Sequence, residues 1–194
     1  MKVNYESLES SIAPFGAYRG FPATIVKLTG CNLRCKGCVQ QLGKKIGVSK
    51  LISEVNKSNN NVVIFTGGEP LLQEAIFQAI YELNGRGYKI LVETNGSLFL
   101  EDEVGSRGFH YRVNLRVPNT KQEDKNKLDM LVNLKSGDEV CFKVNDIFDY
   151  EFAKDIIKKY NTNATYVLTP IPELGDLIAD WVIEDRLYNV KLEI

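Results

Sequence analysis

Cys31, Cys35 and Cys38 fall within the nine residues Gly30-Cys31-Asn32-Leu33-Arg34-Cys35-Lys36-Gly37-Cys38, spaced C-x3-C-x2-C, and make up three of the chain's four cysteines. Thiolates this close on one loop can converge on a single point, and soft sulfur ligands converge most often on a metal centre. Their number narrows the choice. A structural zinc site closes with four ligands. Three thiolates leave one position of a cubane iron–sulfur cluster open to a substrate or cofactor. Two other readings of the spacing stand beside this one: a Cys3His zinc knob that borrows the distant His110, and three cysteines clustered without function.

A scaffold must hold that loop, and the chain shows one. A strand over residues 24–29 runs directly into it, with Lys27 as an unexpected charge that either snorkels to the surface or meets an anion. Residues 1–22 read as mixed and turn-rich. Val48, Leu51, Ile52 and Val55 mark one face of a helix. Residues 62–66 are the short apolar run of a strand buried on both faces of a parallel sheet. Pro70 suits the first position of a helix whose buried face is Leu72, Ile76, Ile80 and Leu83, with Gly85 and Gly87 ending it. Further strands are predicted at 89–93, 111–117, 140–144 and 165–169. Helices are predicted at 125–134, from Asp149 through Phe152, Ile156 and Tyr160, and at 174–183 with Leu174, Leu177, Ile178 and Trp181 buried. Residues 188–194 alternate and read as half exposed. Cys141 falls inside a strand and reads as a buried structural thiol.

Strand and helix alternate, which argues for a parallel sheet with right-handed crossovers. At 194 residues the chain is short for a closed eight-unit barrel of about 250 residues. The expected architecture is therefore a single domain over 1–194, an α/β fold with an open, partial (β/α) barrel of about six parallel strands. In such a barrel the segments after each strand share one rim. They are the cysteine loop, Gly67-Gly68-Glu69-Pro70, Glu93-Thr94-Asn95-Gly96, Val117-Pro118-Asn119-Thr120, Asn145-Asp146 and Thr169-Pro170. Gly67 and Gly68 allow close backbone approach to a ligand, and Glu69 adds a carboxylate. By itself either motif is also an ordinary turn. On the strand at 111–117, Arg112, Asn114 and Arg116 form a polar face. It points into a cavity where a cofactor satisfies it, or the strand is an edge with a solvated face.

Together, the cysteine spacing and the Gly-Gly-Glu-Pro segment about 30 residues later resemble the radical S-adenosylmethionine (SAM) enzymes. The resemblance implies that Cys31, Cys35 and Cys38 hold a 4Fe–4S cluster whose fourth iron binds SAM. It implies that Gly67, Gly68 and Glu69 meet the SAM amino group, and that Glu93, Thr94 and Asn95 lie against SAM, with Asn114 and Arg116 nearby. Over nearly the whole chain the sequence resembles the 7-carboxy-7-deazaguanine synthase family, small lyases of queuosine and archaeosine biosynthesis. Ser11-Ile12, Gly16 and Gly20-Phe21-Pro22 are similar to that family's S-I-Q-G-E-G-x3-G-x-P opening, and Lys27-Leu28-Thr29-Gly30-Cys31 to its R-L-x-G-C. Residues 66–73, 93–97, 115–120 and 142–154 match further segments. The family converts 6-carboxytetrahydropterin to 7-carboxy-7-deazaguanine, uses Mg2+ and works as a homodimer.

The departures gather where that substrate binds. Ala13-Pro14-Phe15 replaces Q-G-E, and Lys27 replaces the carboxylate-binding arginine, keeping the charge but losing the bidentate fork. Cys38-Val39-Gln40 replaces C-D-T, whose threonine helps hold Mg2+, and Ile194 comes before the family's Q-L-H-K. Phe15 and Lys27 still suit a flat anionic ring, by stacking and charge. The resemblance further implies a flavodoxin- or ferredoxin-type electron donor.

Lys plus Arg (24) nearly balance Asp plus Glu (25), so no net field points to nucleic acid or a membrane surface. Nothing in the sequence is long and apolar enough to cross a bilayer, and the expected compartment is the cytoplasm. Two other functions compete. One is a protein-directed radical enzyme, such as a glycyl-radical activase or a peptide modifier, which Gly37-Cys38-Val39-Gln40 faintly resembles. The other is a zinc-holding module, which leaves the Gly-Gly-Glu-Pro and Glu-Thr-Asn-Gly segments unexplained.

Overall fold

The structure is a computed structural model that describes residues 1–39, 42–100 and 108–194. Two units emerge, Met1–Thr94 with Ser106–Arg112 and Asn95–Gly105 with Val113–Ile194. The class is the α/β fold expected, with an open and mostly parallel sheet. Nine strands stand among the described residues, the expected parallel strands being joined by strands paired antiparallel at one edge.

The first unit holds β1 (Lys2–Ile12), β2 (Pro22–Leu28), β3 (Lys44–Gly47), α1 (Val48–Lys57), β4 (Val62–Gly67), α2 (Glu74–Gly85) and β5 (Lys89–Thr94). Their order across the sheet is β3-β1-β2-β4-β5. β2, β4 and β5 run parallel, with Ile25 beside Ile64 and Ile64 beside Leu91, so their carboxyl ends lie together. Near-continuous burial of β2 and β4 matches a parallel sheet covered on both faces. α1 buries Val48, Leu51, Ile52 and Val55 as its periodicity predicts. Each such side chain contributes roughly 1.5–3 kcal/mol when fully buried. The sheet face bearing Ala23, Val62, Ile64 and Leu91 is covered by Ala13, with Phe15 and Tyr18 packed on it.

Two strands here escape the sequence reading. β1 occupies half of the segment read as turn-rich. Only Val3 of its eleven residues is buried, so it has no period-two signal, and pairing with β2 and β3 makes it a strand. β3 is four residues long with Ile46 alone buried. Both pairs made by β1 are antiparallel. Pro70 opens a 3-10 turn, Pro70–Leu72, rather than α2 itself, and Leu72 is exposed. The Glu69 side chain accepts the Leu71 N–H and closes that turn before the helix begins.

β6 (His110–Leu115) begins in the first unit and ends in the second. Tyr111, Val113 and Leu115 are buried as its alternation requires, and so is Arg112, while Asn114 is half-buried. The polar face is not a solvated one.

The second unit holds β7 (Glu139–Val144), α3 (Ile147–Lys159), β8 (Thr165–Pro170), α4 (Gly175–Glu184) and β9 (Val190–Leu192), with β7-β8-β9 parallel. The helix expected at 125–134 is two 3-10 turns, Glu123–Lys125 and Leu128–Asn133. Asn126 interrupts it. Its side chain accepts the Arg116 N–H and donates to the Arg116 carbonyl, both at 2.8 Å, and its own backbone is extended. α3 starts at Ile147, two residues before Asp149, because Asp146 is its cap. In α4, Ile178 is buried, but Leu177 is exposed, Leu174 is half-buried and Trp181 is half-buried against Tyr150. Cys141 is buried, and β9 is half exposed along its length. No helix among the described residues is long and apolar enough to cross a membrane.

Candidate active site

The cysteine loop leaves the end of β2. Gly30 (φ +87°) and Gly37 (φ +78°) take left-handed turns that a side chain would strain. Between them Leu33, 3% exposed, pins the loop, and its N–H donates to Cys31 Sγ at 3.4 Å. Arg34 Nη1 donates to the carbonyls of Cys31 and Leu33, both at 2.8 Å. The Cys38 N–H closes a turn onto the Cys35 carbonyl at 3.1 Å. Cys31 and Cys35 are half-buried and Cys38 is exposed. In this conformation no three Cys, His, Asp or Glu side chains among the described residues are grouped to hold a metal ion. The donor set nonetheless fits a cluster: three thiols on one tethered loop, with a backbone N–H already turned to the first sulfur. His110, the fourth ligand of the zinc alternative, stands edge-on to Tyr18 with ring centres 5.8 Å apart. Burial raises the Tyr18 phenol above its ordinary pKa. Gln40 lies outside the described residues.

The Gly-Gly-Glu-Pro segment is bound directly to the chain entering this loop. Gly68 N–H donates to the Leu28 carbonyl and Glu69 N–H to the Gly30 carbonyl, both at 2.8 Å. A methyl on Gly67 (φ +102°) would strike the Leu28 carbonyl oxygen, and one on Gly68 the Gly30 carbonyl oxygen. The close approach predicted for these glycines is therefore made to the chain's own backbone. Glu69 is fully buried and acts as a strut, accepting Leu71 N–H at 3.0 Å and the Thr94 hydroxyl at 2.8 Å. Gln73 adds a tie that sequence reasoning did not single out. Its amide accepts Asn4 N–H at 2.7 Å and donates to the Asn4 and Thr29 carbonyls.

One residue below these loops, a polar row crosses the face that carries Ala23, Ile64 and Leu91. Lys27 is in register with Thr66, and the Thr66 hydroxyl donates to Glu93. Lys27 Nζ lies 3.2 Å from Glu9 and is partly exposed, so it does meet an anion, one of the chain's own. Glu93 Oε1 is 4.0 Å from Arg112 Nε, and the Arg112 guanidinium sits 4.8 Å from the centre of the Phe15 ring. Lys27, Glu93 and Phe15 are thus brought onto one face, together with Thr66 and Arg112. The polar stretch of β6 was the sequence signal for Arg112.

The remaining expected residues belong to the second unit. Asn95 is buried and its side chain accepts Ser97 N–H at 2.9 Å, shaping the turn at Gly96. Gly96 accepts Lys127 N–H at 2.8 Å, and a methyl on it would crowd Leu115. Arg116 folds back so that its Nε donates to the Asn114 carbonyl at 3.0 Å. The segment after β6 is clipped by Asp149, which is fully buried. It accepts Asn119 N–H and Asn145 N–H, both at 3.0 Å, and the Asn145 amide at 2.8 Å. Asp146 caps Asp149 N–H and also accepts from the Asn119 side chain.

Residues 19–103 match a family described as a 4Fe-4S single cluster domain. The 7-carboxy-7-deazaguanine synthase of Thermoplasma acidophilum is 30% identical over 164 residues, covering 82% of this chain and 78% of that protein. That of Koribacter versatilis is 31% identical over 216 residues, covering 97% and 90%. Among solved structures, QueE from Escherichia coli superimposes with a TM-score of 0.81 at 16% identity, over 100% of this chain and 94% of that one. Streptococcus suis SuiB, bound to its precursor peptide SuiA, gives 0.65 at 12% identity, over 88% and 48%. At these identities the two structures speak for the fold alone. The sequence relatives speak for more: the chain belongs to the 7-carboxy-7-deazaguanine synthase family of radical SAM enzymes.

Proposed function

We propose that this protein is a lyase that converts 6-carboxytetrahydropterin to 7-carboxy-7-deazaguanine with loss of ammonia, or acts on a close heterocyclic relative of that pterin. The single observation that carries the reading is the layout of the first unit. The cysteine loop, Gly67-Gly68-Glu69 and Glu93-Thr94 end parallel neighbours β2, β4 and β5, and direct hydrogen bonds join them.

When bound, the 4Fe–4S cluster supplies the electron that splits SAM into methionine and the 5′-deoxyadenosyl radical. The chain's own residues place the reactants. Cys31, Cys35 and Cys38 ligate, the Leu33 N–H steadies the first sulfur, and the backbone at Gly67 and Gly68 presents the wall against which the SAM amino group binds. Asn95, Asn114 and Arg116 are further SAM contacts in this reading. Lys27 offers a positive charge to the substrate and Phe15 a ring face; Glu93, expected against SAM, stands in the same polar row as Lys27 and in this reading also reaches the substrate's polar edge.

A flavodoxin- or ferredoxin-type protein supplies the electron, the chain works as a homodimer, and the compartment is the cytoplasm. Mg2+ is to be tested by addition, since Val39-Gln40 stand where the family carries Asp-Thr. The deciding experiment is anaerobic reconstitution with iron and sulfide, then dithionite and SAM, with and without 6-carboxytetrahydropterin. Mass spectrometry should find 7-carboxy-7-deazaguanine beside 5′-deoxyadenosine. Slow 5′-deoxyadenosine formation indifferent to the pterin would overturn the assignment of substrate.

A further inference from the structure

Arg112 is 4% exposed, in the middle of β6, and no motif assigns it a role. Burying a guanidinium is costly unless its charge is matched. Two residues of the site itself contribute to that match. Its Cζ lies over the Phe15 ring, 4.8 Å from the centroid, and its Nε lies 4.0 Å from the Glu93 carboxylate, an ion pair beyond hydrogen-bond distance. Glu93 is held at its other oxygen by the Thr66 hydroxyl. Phe15 belongs to the loop whose Ala13 packs on Ala23, Val62, Ile64 and Leu91, and it keeps part of its surface exposed. Ala13 N–H is itself bonded to the Phe21 carbonyl at 2.8 Å. Arg112 is thus the link between the amino-terminal loop and the polar row.

We propose that Arg112 is a positioning residue that fixes Phe15 and Glu93 relative to each other, so that ring face and carboxylate meet one flat, polar-edged heterocycle together. The assignment rests on the function proposed above. It explains why a phenylalanine is tolerated where the family resemblance leads one to expect a glutamate: the ring packs on the apolar sheet face and meets a buried cation as well. Guanidinium is the suitable group because it can stack and pair at once, which an ammonium cannot. Small errors in placing such groups cost up to about 100-fold in rate or affinity.

The test compares R112Q and R112K in the reconstituted enzyme. R112Q should raise the KM for 6-carboxytetrahydropterin at least about tenfold while kcat falls less than about threefold. R112K should recover part of the KM, because it restores charge without the flat stack. If kcat and KM worsen together in both variants, Arg112 merely supports the fold and the proposal is overturned. A second readout needs no turnover. Amide hydrogen exchange at Ala13 should quicken at least about tenfold in R112Q and less in R112K. Equal exchange in R112Q and the parent chain overturns the proposal even where the pterin proves not to be the substrate. Absence of product from the parent chain, with exchange altered as expected, would instead remove only the substrate assignment.

Discussion

The two units hold their strand-end loops by different physics. In the first, backbone meets backbone. Gly68 and Glu69 donate to Leu28 and Gly30 across a gap too narrow for a Cβ, and a buried carboxylate, Glu69, braces the segment against Thr94. In the second, side chains do the holding. Asp149 gathers the N–H groups of Asn119 and Asn145, Asp146 adds the Asn119 amide, and Asn126 clips Arg116. Backbone approach leaves few spare degrees of freedom, whereas a carboxylate clip depends on one rotamer. The loops that carry the cysteines and the Gly-Gly-Glu-Pro segment are those held by backbone contacts.

That contrast can be broken in order of effect. Cys35→Ala should lower 5′-deoxyadenosine formation by more than about 100-fold and abolish reconstitutable cluster iron, read by iron assay and absorbance. Gly68→Ala should come next, at about 1–3 kcal/mol in chemical denaturation, since the methyl meets the immovable Gly30 carbonyl rather than a yielding side chain. SAM binding, measured by equilibrium dialysis, should weaken with it. A variant as stable as the parent would show that the gap opens freely. Asp149→Asn should cost about 1–3 kcal/mol, because an amide can turn only one acceptor oxygen toward three N–H donors. It should leave cluster iron intact, which would separate the second unit's clip from the first unit's ligands. Smallest is Lys27→Met. Its pair with Glu9 is partly exposed on both sides and is worth about 0–1 kcal/mol, so stability should barely move while pterin KM rises.

What could be read in advance follows the same division. β2, β4 and β5 are buried apolar runs, so their placement and the shared rim were visible from pattern alone. The motif glycines were visible as close-approach positions, although the partner proved to be Leu28 and Gly30. β1 was not legible, because it is a strand by pairing and leaves most of its side chains exposed. Asp149 was read as a helix start, since an acidic residue before an apolar periodicity looks the same whether it caps or clips. The polar face of β6 singled out Arg112, but its partners Phe15 and Glu93, like the Arg116 partner of Asn126, are distant in sequence and could not be read from it.

The central claim is that the first unit's loops direct a SAM-derived radical at a pterin. The most direct measurement uses 6-carboxytetrahydropterin deuterated at C6, turned over by the reconstituted enzyme with SAM and dithionite. The account predicts deuterium in the 5′-deoxyadenosine, or in SAM if the cofactor is regenerated, together with 7-carboxy-7-deazaguanine. Unlabelled 5′-deoxyadenosine with unlabelled SAM and no deazaguanine would contradict it.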